Sequence, residues 1–333
     1  MDLKNKLVVS ASPHDRTHKT VRSIMLDVII ALVPALIASV VFFGPRALLI
    51  ECIAVGTCVI FEYASRVFMK REQTVGDLSA VITGLLLAFN LPVSIPLWMV
   101  PIGSAVAIVV AKQFFGGIGQ NFVNPALIGR IVLLTSFPVA MSTWTAPLTW
   151  SKQALDGMTS ASPLADIHTM VSTGVTPDAS LTEMLLGWRA GCLGETCAIA
   201  IIIGGLYLII RKVISPTIPL IYLGTVALFM LVAGKGDLSF VAYELLGGGL
   251  MLGAFFMATD YTTSPITFKG KIIFAIGCGL VTSVIRIFGN LPEGVSYSII
   301  LMNILVPLIE NITLPKPFGT PKKEKKEKEA KKS

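Results

Sequence analysis

Ten stretches of this chain are long and apolar enough to cross a lipid bilayer, which leaves few folds open to it. They are 23–43, 47–68, 75–92, 96–112, 122–141, 191–210, 217–234, 242–259, 270–288 and 295–312. A helix needs about 20 mainly apolar residues to cover the hydrocarbon. Charged residues make up only 14% of the chain, against about 25% in a soluble domain. Aromatic residues are 8%, while Gly (29) and Pro (19) are frequent. That mixture suits closely packed, interrupted helices rather than a β-barrel. The expected fold is an all-α polytopic membrane protein with about ten transmembrane helices. No cleavable signal peptide is expected, because the first 22 residues are polar and basic and the first apolar run is long enough to span.

Orientation follows from Lys and Arg in the short connections. Lys4, Lys6, Arg16, Lys19 and Arg22 precede the first span, so the N-terminus is expected in the cytoplasm. Alternation then places Arg66, Lys70, Arg71, Lys112, Arg211, Lys212, Lys269 and Lys271 on the same inner side. The outer turns are poorer in basic residues. The predicted organisation is a cytoplasmic N-terminus (1–22), a five-helix half (23–141), an extracytoplasmic loop (142–190), a second five-helix half (191–312) and a cytoplasmic Lys/Glu-rich tail (313–333). Five spans per half would invert the second relative to the first, if the halves are repeats. Phe89–Pro96 after the third span loosely echoes Thr259–Pro265 after the eighth.

The formal charge of +7 comes mainly from the tail, where eight Lys and three Glu follow Pro315. A tail of that composition is solvated and gives no support to nucleic-acid binding, since it lacks Arg and has only Phe318 for base contact. The five cysteines form no C-x-x-C pair and read as small buried hydrophobes, with no metal site expected. Ionisable residues in apolar surroundings are more informative, because the bilayer makes them costly. Glu195 falls about one turn inside the sixth span, where a function and a helix-dipole role are equally open. Arg130 and Arg286 could pair with an acid or hold a polar ring edge. Asp77 and Asp260 lie near inner span ends. Phe114–Ala126, rich in Gly and Asn, reads first as a helix-capping loop and second as a cofactor or ion lining.

One polar stretch sits in the long outer loop, between the two halves: Asp156–Leu164. It fits the pattern Asp-x-x-[Ser/Thr]-[Gly/Ser]-Ala-[Ser/Thr] through Asp156, Thr159, Ser160, Ala161 and Ser162. Ser162 followed by Pro163 also reads as the cap and first residue of a short helix. The two readings are compatible, since a helix start offers free N–H groups and a positive dipole end to a phosphate.

Asp156–Leu164, Gly116–Ala126, Gly191–Thr196, Met257–Asp260 and Pro292–Asn303, in that array, resemble the RnfD/NqrB family of membrane redox subunits. The resemblance covers about residues 20 to 312, and the short N-terminus favours the RnfD branch over NqrB. It implies a subunit of the Rnf complex, an Na⁺- or H⁺-translocating ferredoxin:NAD⁺ oxidoreductase in the cell membrane. It further implies covalent FMN joined by a phosphodiester to Ser162. An external flavin transferase would attach it, with Asp156 and Thr159 in the recognition pattern alongside Ser160 and Ala161. The family more often has Thr at the position of Ser162 and Gly at that of Ser160. A second, non-covalent riboflavin is implied toward the cytoplasmic side.

With a tethered flavin the protein would serve as a relay, with other Rnf subunits as partners. The chain shows neither a G-x-G-x-x-G after a strand nor an Fe–S cysteine cluster, so no catalytic residue for NAD or ferredoxin is expected in it. The competing expectations are an NqrB-like component of a quinone-linked sodium pump, and a solute channel or transporter without flavin.

Overall fold

The computed structural model describes residues 19–148, 180–289 and 293–315. The stretch Asp156–Leu164 lies outside the described residues, as do the N-terminal residues before Lys19 and most of the tail. Thirteen helices run through the described parts: α1 (Val21–Phe43), α2 (Pro45–Phe68), α3 (Ser79–Phe89), α4 (Met99–Gln113), α5 (Pro125–Ser136), α6 (Pro138–Met141), α7 (Leu181–Leu186), α8 (Ala198–Ile210), α9 (Thr217–Ala233), α10 (Leu238–Leu246), α11 (Leu250–Met257), α12 (Phe268–Phe288) and α13 (Val295–Thr313). The all-α membrane architecture expected from the apolar runs is present.

Each predicted span contains helix, but not all are continuous. Four helices, α1, α2, α12 and α13, are long and apolar enough to cross a membrane unaided. α10 and α11 together have the length and composition of a fifth span, bent by 67° at the break between them, or of a re-entrant loop. The third span is only the 11-residue α3, about 17 Å long at 1.5 Å per residue. Its helix stops before Leu91–Pro96, where Pro cannot continue the hydrogen-bond ladder. The eighth breaks at Gly247–Gly249, where a residue without a side chain lets the backbone turn. Residues 191–197, assigned to the sixth span, form a loop before α8. A hydropathy window averages over such breaks and cannot see them.

Contacts repeat from one half to the other. α2 packs on α3 and α4, as α9 packs on α10, α11 and α12. α4 packs on α5 as α12 packs on α13. Between halves, α1 meets α8 and α5 meets α13, which pairs the first span with the sixth and the fifth with the tenth. These are the pairings that two related halves would make about a shared axis.

Small residues bring the backbones together, since lipid offers no hydrophobic drive for helix association. At the α1–α8 crossing a Cβ on Gly204 would run into the carbonyl oxygen of Ala31. At the α2–α3 crossing one on Gly84 would lie 2.7 Å from Cα of Val55. Neither backbone can yield without moving its helix. Gly204→Val is therefore expected to destabilise the protein by about 1–3 kcal/mol or more, read as a lower midpoint of heat-induced loss of the monodisperse peak in detergent. Gly56→Ala, where a Cβ would meet nothing within 4 Å, should leave that midpoint unchanged or slightly raised.

Candidate functional site

Two polar regions lie where helices break, at opposite ends of the helices; the one on the side of the α1 N-terminus is termed inner and the other outer. The inner region surrounds a cavity of about 860 Å³, counting its open mouth. Its enclosed part is about 120 Å³, smaller than the roughly 300–1,000 Å³ usual for ligand pockets. Its walls come from the starts of α1 (Ile24, Met25, Val28) and α3 (Ser79, Thr83), the loop before α5 (Asn121, Asn124) and the end of α11.

Asn124 builds this region. Its Oδ1 accepts the N–H of Ala126 at 3.1 Å and caps α5, satisfying one of the N–H groups a helix start leaves free. Its Nδ2 donates to Met257 O at 3.3 Å, at the broken end of α11. With its amide oxygen turned to the N–H of Asn124 (3.2 Å), Asn303 also donates to Thr263 O (3.1 Å). The motifs Gly116–Ala126 and Met257–Asp260, 133 residues apart at the bonded pair, thus meet in one wall. Past α11, Asp260 accepts from Thr262 and Thr263. Burial nonetheless holds its carboxyl above the ordinary carboxylate range. Asn121 is 9% exposed and its Oδ1 has no partner.

Beside the cavity lies a buried ion pair. Lys112 Nζ sits 2.7 Å from Glu62 Oε2 and 2.6 Å from Ser79 Oγ. Glu62 also accepts from Thr74 (2.8 Å) and from Gln113 Nε2 (3.1 Å). The second half of α4, Val106–Gln113, is π-helical, a geometry that recurs at functional positions. There the adjacent side chains of Lys112 and Gln113 both reach Glu62.

The outer region gathers Arg130, Asn90, Ser296, Glu293, Cys192, Glu195 and Arg189. Arg130 Nη1 donates to Asn90 Oδ1 (2.8 Å) and Ser296 Oγ (2.9 Å), and its Nη2 pairs with Glu293. The loop before α8 docks on the broken end of α3, Leu193 N–H donating to Leu91 O and Gly194 N–H to Phe89 O. Glu195 sits in that loop rather than inside a helix, accepting the N–H of Cys192 at 3.0 Å. Cys192, Glu195 and Glu293 bring possible ligand atoms within 4.8 Å of one another. Arg130 already pairs with Glu293 and reaches Cys192 Sγ at 3.8 Å, so the group reads as an ion-pair network. Arg286 pairs with Glu244 Oε2 at 2.8 Å and caps Gly247 O at 2.9 Å across the α10–α11 break.

The two regions correspond. The start of α5 meets the broken end of α11 in the inner region, and in the outer region Arg130 of α5 bridges the start of α13 to the broken end of α3. Of the residues singled out in the sequence, Arg130 and Glu195 come together, Asp260 lines the cavity, and Arg286 holds a helix break. Asp156, Thr159, Ser160, Ala161 and Ser162 lie outside the described residues. Asn90, Asn124, Glu293 and Ser296 went unrecognised individually, although Asn or Ser beside Pro or Gly was the available signal.

Residues 8–319 match the family model described as "NQR2, RnfD, RnfE family". The chain is 48% identical over 325 residues to the D subunit of the Na⁺-translocating ferredoxin:NAD⁺ oxidoreductase complex of Acetobacterium woodii, covering 97% of this chain and 98% of the relative. It is 43% identical over 325 residues to the D subunit of the proton-translocating ferredoxin:NAD⁺ oxidoreductase complex of Clostridium ljungdahlii, covering 95% and 97%. The D subunit of the ion-translocating oxidoreductase complex of Vibrio atlanticus is 35% identical over 343 residues, covering 93% and 99%.

Proposed function

The chain belongs to the NQR2, RnfD, RnfE family, and on that premise we propose that it is the flavin-carrying relay subunit of an ion-translocating ferredoxin:NAD⁺ oxidoreductase. The observation that carries this reading is near-full-length similarity to the D subunits of such complexes. Other Rnf subunits would supply the NAD and ferredoxin sites. The relay would lie in the cell membrane with both termini in the cytoplasm, as its basic connections favour.

A flavin transferase that reads Asp156 and Thr159 would split the pyrophosphate of FAD, releasing AMP and joining the FMN phosphate to the hydroxyl oxygen of Ser162. A second flavin, riboflavin, would occupy the inner cavity. The residues present suit such a ring: apolar walls from Ile24, Met25 and Val28, and a polar edge formed by Asn121, Lys112 and Asp260. The unpartnered Asn121 Oδ1 offers an acceptor to a ring N–H. When bound, a flavin supplies one- and two-electron chemistry that the protein tunes by hydrogen bonds and charge. In this chain the Glu62–Lys112 pair would hold a fixed charge beside the cavity, and the apolar wall would keep water from it.

The test is expression of the full chain with and without a flavin transferase of this class. Expected is ultraviolet-excited fluorescence at the mass of the denatured chain only with the transferase, and release of unphosphorylated flavin from the native protein on acid precipitation. A non-fluorescent chain, beside a control substrate that the same transferase does flavinylate, would refute the covalent reading. Absence of released flavin would refute the use assigned to the cavity.

A further inference from the structure

Glu51 lies in α2 about 9 Å along the axis from its first residue, Pro45, at 1.5 Å per residue. It is 2% exposed, and its Oε2 has no hydrogen-bond partner. Among the described residues no basic side chain pairs with it. Arg46, on the same helix, is committed to Val93 O (2.7 Å) and Ile95 O (3.1 Å). An ionised carboxylate without a charged partner, and with one oxygen unbonded, would cost several kcal/mol or more in such surroundings.

Counting protons leads to the same place. Ser39 Oγ lies 2.7 Å from Leu36 O and 2.5 Å from Glu51 Oε1. A serine has one hydroxyl proton, and two O···O contacts this short cannot both be drawn from it. If Ser39 donates to the backbone of its own helix, the contact with Glu51 needs a proton on the carboxyl.

We propose that Glu51 is a proton-binding site within the membrane, whose carboxyl gives up its proton to water and recovers it as the complex turns over. The same face of α2 continues through Cys58 and Glu62, seven and eleven residues on, at helical spacing. Both are fully buried. Ser104 on α4 is also buried, and its Oγ has no partner. A purely structural acid would be replaceable by an amide. Glu51→Gln keeps the shape and neutrality, and its NH₂ can still donate to Ser39.

The test uses the assembled complex in vesicles, comparing the parent with Glu51→Gln. Infrared spectra should show the carbonyl stretch of a neutral carboxylic acid that shifts in D₂O, changes between oxidised and reduced complex, and is missing from the variant. Proton movement across the vesicle should fall at least tenfold in the variant while its flavin content is unchanged. Superimposable spectra, a band indifferent to D₂O and redox state, or undiminished proton movement would each overturn the proposal. Flavin content, read on the same samples, keeps this result separate from the flavin assignment. If Glu51→Gln assembles poorly, Glu51→Asp takes its place: a change of the band's frequency in that variant supports the assignment to residue 51, and an unchanged band overturns it.

Discussion

Lys112→Met is expected to destabilise the protein by about 3–5 kcal/mol, the cost of leaving a buried charge without its partner. Glu62 is fully buried. Without Lys112 its carboxylate would keep only the neutral donors Thr74 and Gln113. Ser79 Oγ would lose its donor as well. The loss should appear as a sharply lower midpoint for heat-induced aggregation in detergent, or as failure to accumulate in membranes. Adding Glu62→Gln should restore most of it, because the pair is then replaced by groups of similar size without charge. If the single variant behaves as the parent does, then Lys112 is not the partner of Glu62 in the membrane. If the double variant is no better than the single, the loss reflects packing of the lysine stem rather than an orphaned charge.

That ion pair shows where the sequence stopped being legible. Lys112 reads as a basic residue at the inner end of the fourth span, and it supports the orientation on that ground. Glu62 reads only as one more ionisable residue within the second span. Both are instead buried against each other, because α4 changes to a π-helical winding at Val106 and turns its last residues onto α2. Nothing in local hydropathy announces that change. The helices themselves were readable, since apolar run length is set by the bilayer. Their interruptions were half readable: Pro92, Pro96 and the Gly247–Gly249 run mark the breaks, but a window of spanning length absorbs them. The family resemblance groups separated motifs without showing that they touch. The bond from Asn124 to Met257 is tertiary, as is the convergence of Arg130 with Glu293 and Ser296. Neither follows from spacing along the chain.

The largest functional effect is expected at Ser162. Ser162→Ala should remove all covalent flavin, because no oxygen would remain at that position to form the phosphodiester. Ser162→Thr should retain it, since a secondary hydroxyl can make the same bond. Neighbouring hydroxyls sharpen the test. Thr159 and Ser160 are left intact in Ser162→Ala, so a transferase that accepts any hydroxyl in the loop would still label the chain. Complete loss therefore identifies one attachment point rather than a reactive segment. Asp156→Ala and Thr159→Ala act differently. They leave the attachment hydroxyl in place and should slow labelling through lost recognition, which longer incubation with excess transferase and FAD would partly recover. The measurement is in-gel flavin fluorescence normalised to protein, with the flavinylated peptide located by mass. Fluorescence that survives Ser162→Ala, or a labelled peptide that lacks residue 162, would move the attachment elsewhere. Because Ser162 belongs to a polar stretch of sequence outside the apolar runs, the alanine variant should keep the parent's thermal midpoint, in contrast to Lys112→Met. An unflavinylated chain with unchanged stability would show that residue 162 carries the cofactor and the helices carry the fold.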